Sequence, residues 1–373
     1  MDTALSVKPP LTPELVRDFY QRYLFLDTGG REHLLVLFYD EPLPAALLEG
    51  LRAVPGTRLL AVDSSKLDSQ VRFLETIEDP ERKYLSIHDF CQTTYYPKAQ
   101  AAVTFCEKPR GVDYTSFEFP RFGATPEQLE TLIYRFVAGD PAEQLRRADA
   151  FYGRLGEDRG YCIRVRSGPR RDRLLEVRGP SPWLEICGPL QEGDLRFAPG
   201  AELFYSGTAV NGVLHCNAGI NLLPLRGGNS DPATCERLLS LSSQLPEEPV
   251  DVVIREGRIT ELRSERDVVA AQLREIFASD EAYSHVIEVG IGLSDAAAPL
   301  INGWGATSNE AVPGVHIGIG ADPGNTLRFK TSIHLDFVVP DLDIEVNAHP
   351  YFQSGRFLML DQQEEPAKLG AER

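Results

Sequence analysis

The chain has no two cysteines close enough together to read as a metal knuckle. Its six cysteines, Cys91, Cys106, Cys162, Cys187, Cys216 and Cys235, are scattered singly over 373 residues. That spacing fits neither a Cys-x-x-Cys zinc site nor a dense disulfide framework, and several of the six sit in apolar runs as small core residues. Positive charge is scarce as well: 38 Lys and Arg stand against 55 Asp and Glu, a formal net charge of −17. Nucleic-acid surfaces need clustered cations, so no nucleic-acid partner is expected. The one basic run, Arg164 to Arg173, reads as a solvated hairpin and its turn. No stretch of about eighteen apolar residues occurs, so no membrane span is expected. The opening MDTALSVKPPLTPE lacks a basic region followed by an apolar one, so no signal peptide is expected either, and the cytoplasm is the default compartment. Repeats of solenoid length and low-complexity segments are missing too.

What remains is an ordinary globular composition, 42% hydrophobic and 25% charged, on a chain long enough for two domains. Residues 1–155 alternate helix and strand patterns. Thr12-Pro13-Glu14 starts a helix running to about Tyr23. HLLVLFYD (His33 to Asp40) is the near-continuous apolar run of a strand covered on both faces. A helix from Pro44 to Val54, strands at Thr57–Asp63 and Ala101–Cys106, and helices near Pro126–Ala138 and Pro141–Leu155 follow. This pattern predicts a small parallel-sheet α/β domain. After Gly160 the texture changes to short alternating strands and hairpin turns, with Glu256-Gly257 as a hairpin signal and helices near Pro232–Ser243 and Glu265–Ser279. Residues 156–373 are therefore expected to form a strand-rich α+β domain, and it holds the candidate site.

The chemistry concentrates between Ile287 and Phe337, in IEVGIG, VHIGIG and IHLDF. His334 and Asp336 are two residues apart, so on a strand they share a face about 7 Å apart at the backbone. An imidazole beside a carboxylate can grip one divalent metal or pass one proton. Glu288 and His316 are each followed by Val/Ile-Gly-Ile-Gly, which suggests two similar strands offering one ligand-type group at the same depth. Upstream, PGAELF sets Glu202 just after a tight turn. Two carboxylates, two imidazoles and an aspartate match the ligands that zinc, cobalt or manganese prefer. Glu288, or the nearby Glu310, could act as general base.

These four pieces, in order and approximate spacing, resemble the aminopeptidase T family of metallopeptidases. The resemblance rests on PGAELFYSG with Glu202, IEVGIG with Glu288, VHIGIG with His316, and IHLDF with His334 and Asp336. It is specific over the last ~175 residues. It implies two divalent ions held by those five residues, hydrolysis at the N-terminus of a peptide substrate, and a homodimer; Glu202 or Asp336 is implied as the bridging ligand. The family's tyrosine seven residues past the third-piece histidine is Pro323 here.

Two other readings stand beside the hydrolase. One is a binding protein on the same fold, metal-free or not, presenting a precursor peptide to tailoring enzymes of natural-product biosynthesis. The other is a mononuclear iron ring-cleaving dioxygenase, in which two histidines and one carboxylate hold iron(II). That reading needs a histidine where Glu288 stands; His285 is a possible substitute, but its odd spacing puts it on the opposite face of the strand. Of the remaining histidines, His33 and His88 read as surface or satisfied core residues, His215 as a neighbour of the Glu202 strand, and His349 as part of a turn. Trp304 is a candidate lid aromatic.

Overall fold

This computed structural model describes residues 10–23, 31–40, 42–68, 70–78, 83–90, 113–118, 126–156, 160–179, 182–188, 195–197, 201–207, 209–224, 232–298, 300, 306–321 and 333–359. The expected strand at 101–106, the Trp304 lid and Pro323 lie outside them. The chain divides by contacts into residues 1–140 with 189–199, and residues 141–188 with 200–373. The two units are taken in turn.

The first unit runs α1 (Pro13–Tyr23), β1 (Glu32–Tyr39), α2 (Ala45–Arg52), β2 (Thr57–Asp63), α3 (Gln70–Leu74), β3 (Lys83–Asp89), β4 (Asp113–Glu118) and α4 (Pro126–Val137). β1 is an interior strand of its sheet, and both of its faces are apolar. Leu35 and Leu37 pack with Phe19, Leu47 and Ile133, while Leu34, Val36 and Phe38 pack with Leu74, Leu85 and Ile87. A strand apolar on both faces suits a parallel sheet covered by helices on each side, and β1 pairs parallel with β2 and β3. Both histidines of this unit are core residues. His33 lies between Ser86 Oγ (2.7 Å) and Thr57 Oγ1 (3.0 Å), and His88 Nδ1 meets the Tyr20 hydroxyl at 3.1 Å.

The second unit opens with α5 (Pro141–Leu155), β5 (Cys162–Ser167), β6 (Arg173–Arg178) and β7 (Trp183–Ile186). The sequence texture places α5 with the first domain. Its Ala148 and Phe151 are buried in the second unit's core, with Phe151 edge-on to Trp183 and Tyr351. The chain returns once to the first unit for β8 (Leu195–Phe197), which extends that parallel sheet to the order β2-β1-β3-β4-β8. The second unit then resumes with β9 (Glu202–Tyr205), β10 (Val210–Cys216), β11 (Gly219–Pro224), α6 (Pro232–Gln244), β12 (Val250–Arg255), β13 (Arg258–Arg263), α7 (Val268–Phe277) and β14 (Val286–Gly292). It closes with α8 (Ala306–Glu310), β15 (Gly314–Gly320), β16 (Ile333–Val339), β17 (Leu342–Val346), β18 (His349–Gln353) and β19 (Arg356–Phe357).

These strands form two antiparallel sheets, ordered β13-β12-β10-β6-β5-β17-β18-β19 and β11-β16-β15-β14-β9-β7. A single apolar core takes Ile163, Val165 and Val177 from the first of them and Leu203, Val289, Ile317 and Leu335 from the second. The architecture is thus a small parallel α/β sheet followed by a strand-rich α+β region, as the patterns predict. The Glu256-Gly257 turn has φ of 51° and 72°, the left-handed pair that a tight hairpin between β12 and β13 requires.

Two histidine expectations are corrected, and His285 stays away from the donors as its odd spacing from Glu288 predicts. His349 does not form the turn: Asn347 and Ala348 do, with φ of 50° and 67°, and His349 opens β18. His215 belongs to the eight-stranded sheet, where its Nδ1 lies 2.7 Å from Asp251 Oδ1, so it serves that pair and not the strand of Glu202. His285 lies just before β14 and donates from Nδ1 to the Glu281 carbonyl at 3.1 Å, which ties it to its own turn.

Candidate metal centre

Alternation along the six-stranded sheet sends odd-numbered residues of β9, β15, β16 and, after the register shift between Val286 and Glu288, β14 into the core, and even-numbered ones to the opposite face. The second face carries Glu202, Glu288, His316, His334 and Asp336. Each of these stands opposite a glycine on a neighbouring strand: Glu202 against Gly292, Glu288 against Gly318, His316 against Gly290, His334 against Gly320, and Asp336 against Gly318. The Gly-Ile-Gly repeats therefore have a steric task. A β-carbon on Gly318 would sit 2.9 Å from both Glu288 Cβ and His334 Cε1, and 3.0 Å from Asp336 Oδ1. The glycines hollow out one face of the sheet, the isoleucines fill the core on the other, and the donors lean into the hollow.

Glu288 lies between the two histidines. Its Oε1 is 3.4 Å from His316 Nε2 and its Oε2 is 3.9 Å from His334 Nε2. Glu202 Oε2 reaches His316 Nε2 at 3.2 Å, and Asp336 Oδ1 reaches His334 Nε2 at 3.1 Å. The Nδ1–H of His334 donates to the Ala321 carbonyl at 2.9 Å, which turns Nε2 toward the carboxylates. Ligand atoms of Glu202, Glu288 and His316 all lie within 4.8 Å of one another. All five expected donors are thus drawn to one hollow, and Glu310 comes to it from the end of α8, buried. Of the carboxylates there, Glu288 is the one that faces both imidazoles, whereas the resemblance puts Glu202 or Asp336 in the shared position.

Burial makes this centre electrostatically tense. It disfavours an imidazolium at His316, but hydrogen bonding to Glu202 and Glu288 and the charge of Asp336 outweigh it and push the pKa well above the ordinary value. His334 is likewise opposed by burial, yet Asp336 and Glu288 raise it to about 9. Burial drives Glu202 up against the pull of His316. Burial, with the charges of Asp336 and Glu202 beside it, drives Glu310 well above the carboxylate range, toward an acid and away from a general base. Burial also acts against Asp336, but the charge and hydrogen bond of His334 hold it below its usual value.

The donor set fits a divalent cation on the structure's own terms. Among the described residues Glu310 Oε1 and Asp336 Oδ2 are buried without a hydrogen-bond partner, and Glu202 Oε2 and Asp336 Oδ1 have only the off-line imidazole contacts at 3.2 and 3.1 Å. Orphaned buried carboxylate oxygens are costly, and a hard or borderline cation satisfies several at once. One contributor escapes sequence reasoning. Asn221 on β11 faces Asp336 across the strand pair, and its Oδ1 accepts from Asn309 Nδ2 at 2.8 Å, with both side chains buried. Its only signal is a polar residue in the otherwise apolar run GINLLP.

Two comparisons bear on the chain. A family described as "Crocagin biosynthetic protein CgnE/B" matches residues 214–347, which include Glu288, Glu310, His316, His334 and Asp336. A solved structure of 2,5-dihydroxypyridine dioxygenase from Pseudomonas putida KT2440 superposes with a TM-score of 0.61 at 15% identity, over 95% of this chain and 100% of that one. At that identity the likeness is one of fold. No curated protein matches the chain, and neither match is to a peptidase. Among the described residues no helix is long and apolar enough to cross a membrane. By its matches, this chain is similar to a biosynthetic protein over residues 214–347 and to a dioxygenase in its fold.

Proposed function

We propose that this protein works within a biosynthetic sequence as a peptide-binding protein, holding a precursor peptide for partner enzymes over a carboxylate–imidazole centre that takes a divalent cation. The observation that carries the reading is the biosynthetic-family match over residues 214–347, the span supplying four of the five donors. Glu202, Glu288 and His316 would hold one ion, and His334 and Asp336 complete the set on the far side of Glu288. A bound ion would supply a Lewis acid that grips a peptide carbonyl oxygen. The chain's own carboxylates do the rest. Glu202 and Glu288 are the partly open members of the centre; each would give one oxygen to the ion, and the second oxygen attracts the ammonium of a peptide N-terminus.

A second reading is metal-dependent hydrolysis at that N-terminus, favoured by the convergence of all five donors. The iron dioxygenase reading is weaker, because the position that would supply the second histidine beside His334 and Asp336 holds a carboxylate, Glu288.

The test uses the full chain dialysed against zinc or cobalt, with tetrapeptides bearing free or acetylated N-termini. Binding is read by fluorescence anisotropy and cleavage by mass spectrometry. Binding that needs the free amino group, without release of an amino acid, supports the peptide-holding reading. Turnover moves the assignment to the hydrolase. Absence of binding to every peptide overturns both.

A further inference from the structure

Beyond the donors, the same sheet face carries an apolar row. β9 and β7 pair so that Phe204 stands opposite Leu184 and Glu202 opposite Ile186. β14 places Gly290 opposite Phe204, and β15 places His316 opposite Gly290. One cross-strand line therefore runs His316, Gly290, Phe204, Leu184. Gly290 contributes no side chain, and the His316 ring leans over it, so the centre runs into Phe204 without an intervening group.

Exposure along this face is graded. Asp336, His334 and His316 are buried, and so is Asn221 beyond them. Glu202 and Glu288 are partly open, Phe204 and Ile186 are half-buried, and Leu184 is 50% exposed. The centre thus opens toward β9 and β7 and is closed toward β16 and β11. Leu184 is one of four large apolar side chains exposed among the described residues, and the one in line with the donors. An exposed leucine alone means nothing, but one that continues a row from a buried polar centre forms the apolar wall expected of a binding site.

We infer that Leu184 and Phe204, with Ile186 beside them, seat an apolar side chain of the bound peptide, that of the first residue, whose amino group the centre holds. This rests on the peptide-holding reading and adds the class of peptide to it. Charge and hydrophobicity select together. Glu202 and Glu288 stand at one end of the shelf and attract the N-terminal ammonium, while an acidic first side chain would meet both carboxylates and bury no apolar surface.

The experiment compares dye-labelled tetrapeptides beginning with leucine, phenylalanine, lysine or aspartate on the full chain, by anisotropy. The same set is run on Leu184→Asp, on Phe204→Ala, and on Val268→Asp, which changes an equally exposed residue of α7 outside the row. Circular dichroism and thermal melting establish that each variant is folded. The expected result is at least tenfold preference for leucine or phenylalanine over aspartate, lost in Leu184→Asp and Phe204→Ala and kept in Val268→Asp. Binding without preference, or a preference that survives both row variants, overturns the shelf while leaving peptide binding standing. Binding of none of the four overturns the peptide-holding reading and the shelf together.

Discussion

Gly290 and His316 face each other across β14 and β15, and the imidazole occupies the place where a side chain on Gly290 would begin: a β-carbon there would lie 1.9 Å from Nε2. A methyl at this position therefore evicts the ring. Gly290→Ala is expected to weaken zinc binding at least tenfold in chelator competition, at a stability cost of about 1–3 kcal/mol for overpacking. Its circular dichroism should be unchanged. Zinc affinity equal to that of the parent chain would remove His316 from the ligand set.

Asp336 supplies the largest influence raising His334, whose pKa of about 9 exceeds the ordinary 6.5. The sign follows from linkage: in metal-free protein this pair contributes stability that is fully present below about pH 6.5 and is lost as pH rises through about 9. Asp336→Asn should return the His334 titration, followed by NMR, toward the ordinary imidazole range. It should also destabilise the metal-free chain by about 3 kcal/mol at pH 6, as expected for breaking a buried pair. Urea unfolding at pH 6 and at pH 9.5 checks the window, since the penalty should shrink at the higher value.

The first unit has the opposite dependence. Burial lowers His33 to about 4 and His88 to about 3, the latter helped by the charge of His33. Between those values and 6.5 the unfolded chain binds protons that the folded unit refuses, so stability is present above about pH 6.5 and falls as pH drops toward 4. The loss is on the order of a few kcal/mol. His88→Phe should flatten the acid limb, and urea midpoints measured from pH 7 to pH 4 read it directly.

Arg147 anchors the segment after β14. Its Nη1 donates to the Leu293 carbonyl at 2.8 Å, Nη2 reaches Asp295 at 2.5 Å, and the guanidinium lies 4.4 Å from the centre of the Phe357 ring. Lysine cannot reproduce that planar fork. Arg147→Lys should cost about 1.5–3 kcal/mol in urea unfolding, the range for hydrogen bonds to a charged group. Asp295→Asn should cost under about 1 kcal/mol, because Asp295 is largely exposed.

Much of this was legible without coordinates, for stated physical reasons. The unbroken apolar run of β1 implies burial on both faces, and the strict alternation in CIRVRS and RLLEVR implies strands with one solvated face. The donors stood out because charged groups in glycine-rich strands have few structural excuses. Register was invisible. That Asn221 meets Asp336, or that Glu288 falls between two imidazoles, depends on pairing between strands far apart in the chain. Tertiary burial was hidden too: α5 follows the helical texture of the first domain, but Phe151 packs on Trp183 and Tyr351. β3 and β4, read from KYLSIHD and DYTSFE, carry too many polar residues to announce themselves.

The hollow beneath the donors is made by glycines and not by the donors themselves. Substituting Glu202, His316 or His334 by small residues one at a time would widen that basin without disturbing the isoleucines that hold the sheet to its core. A lineage that gave up catalysis would therefore inherit a ready recess, already open toward an apolar rim. The same backbone can trade chemistry for capacity, through changes confined to one face of four strands.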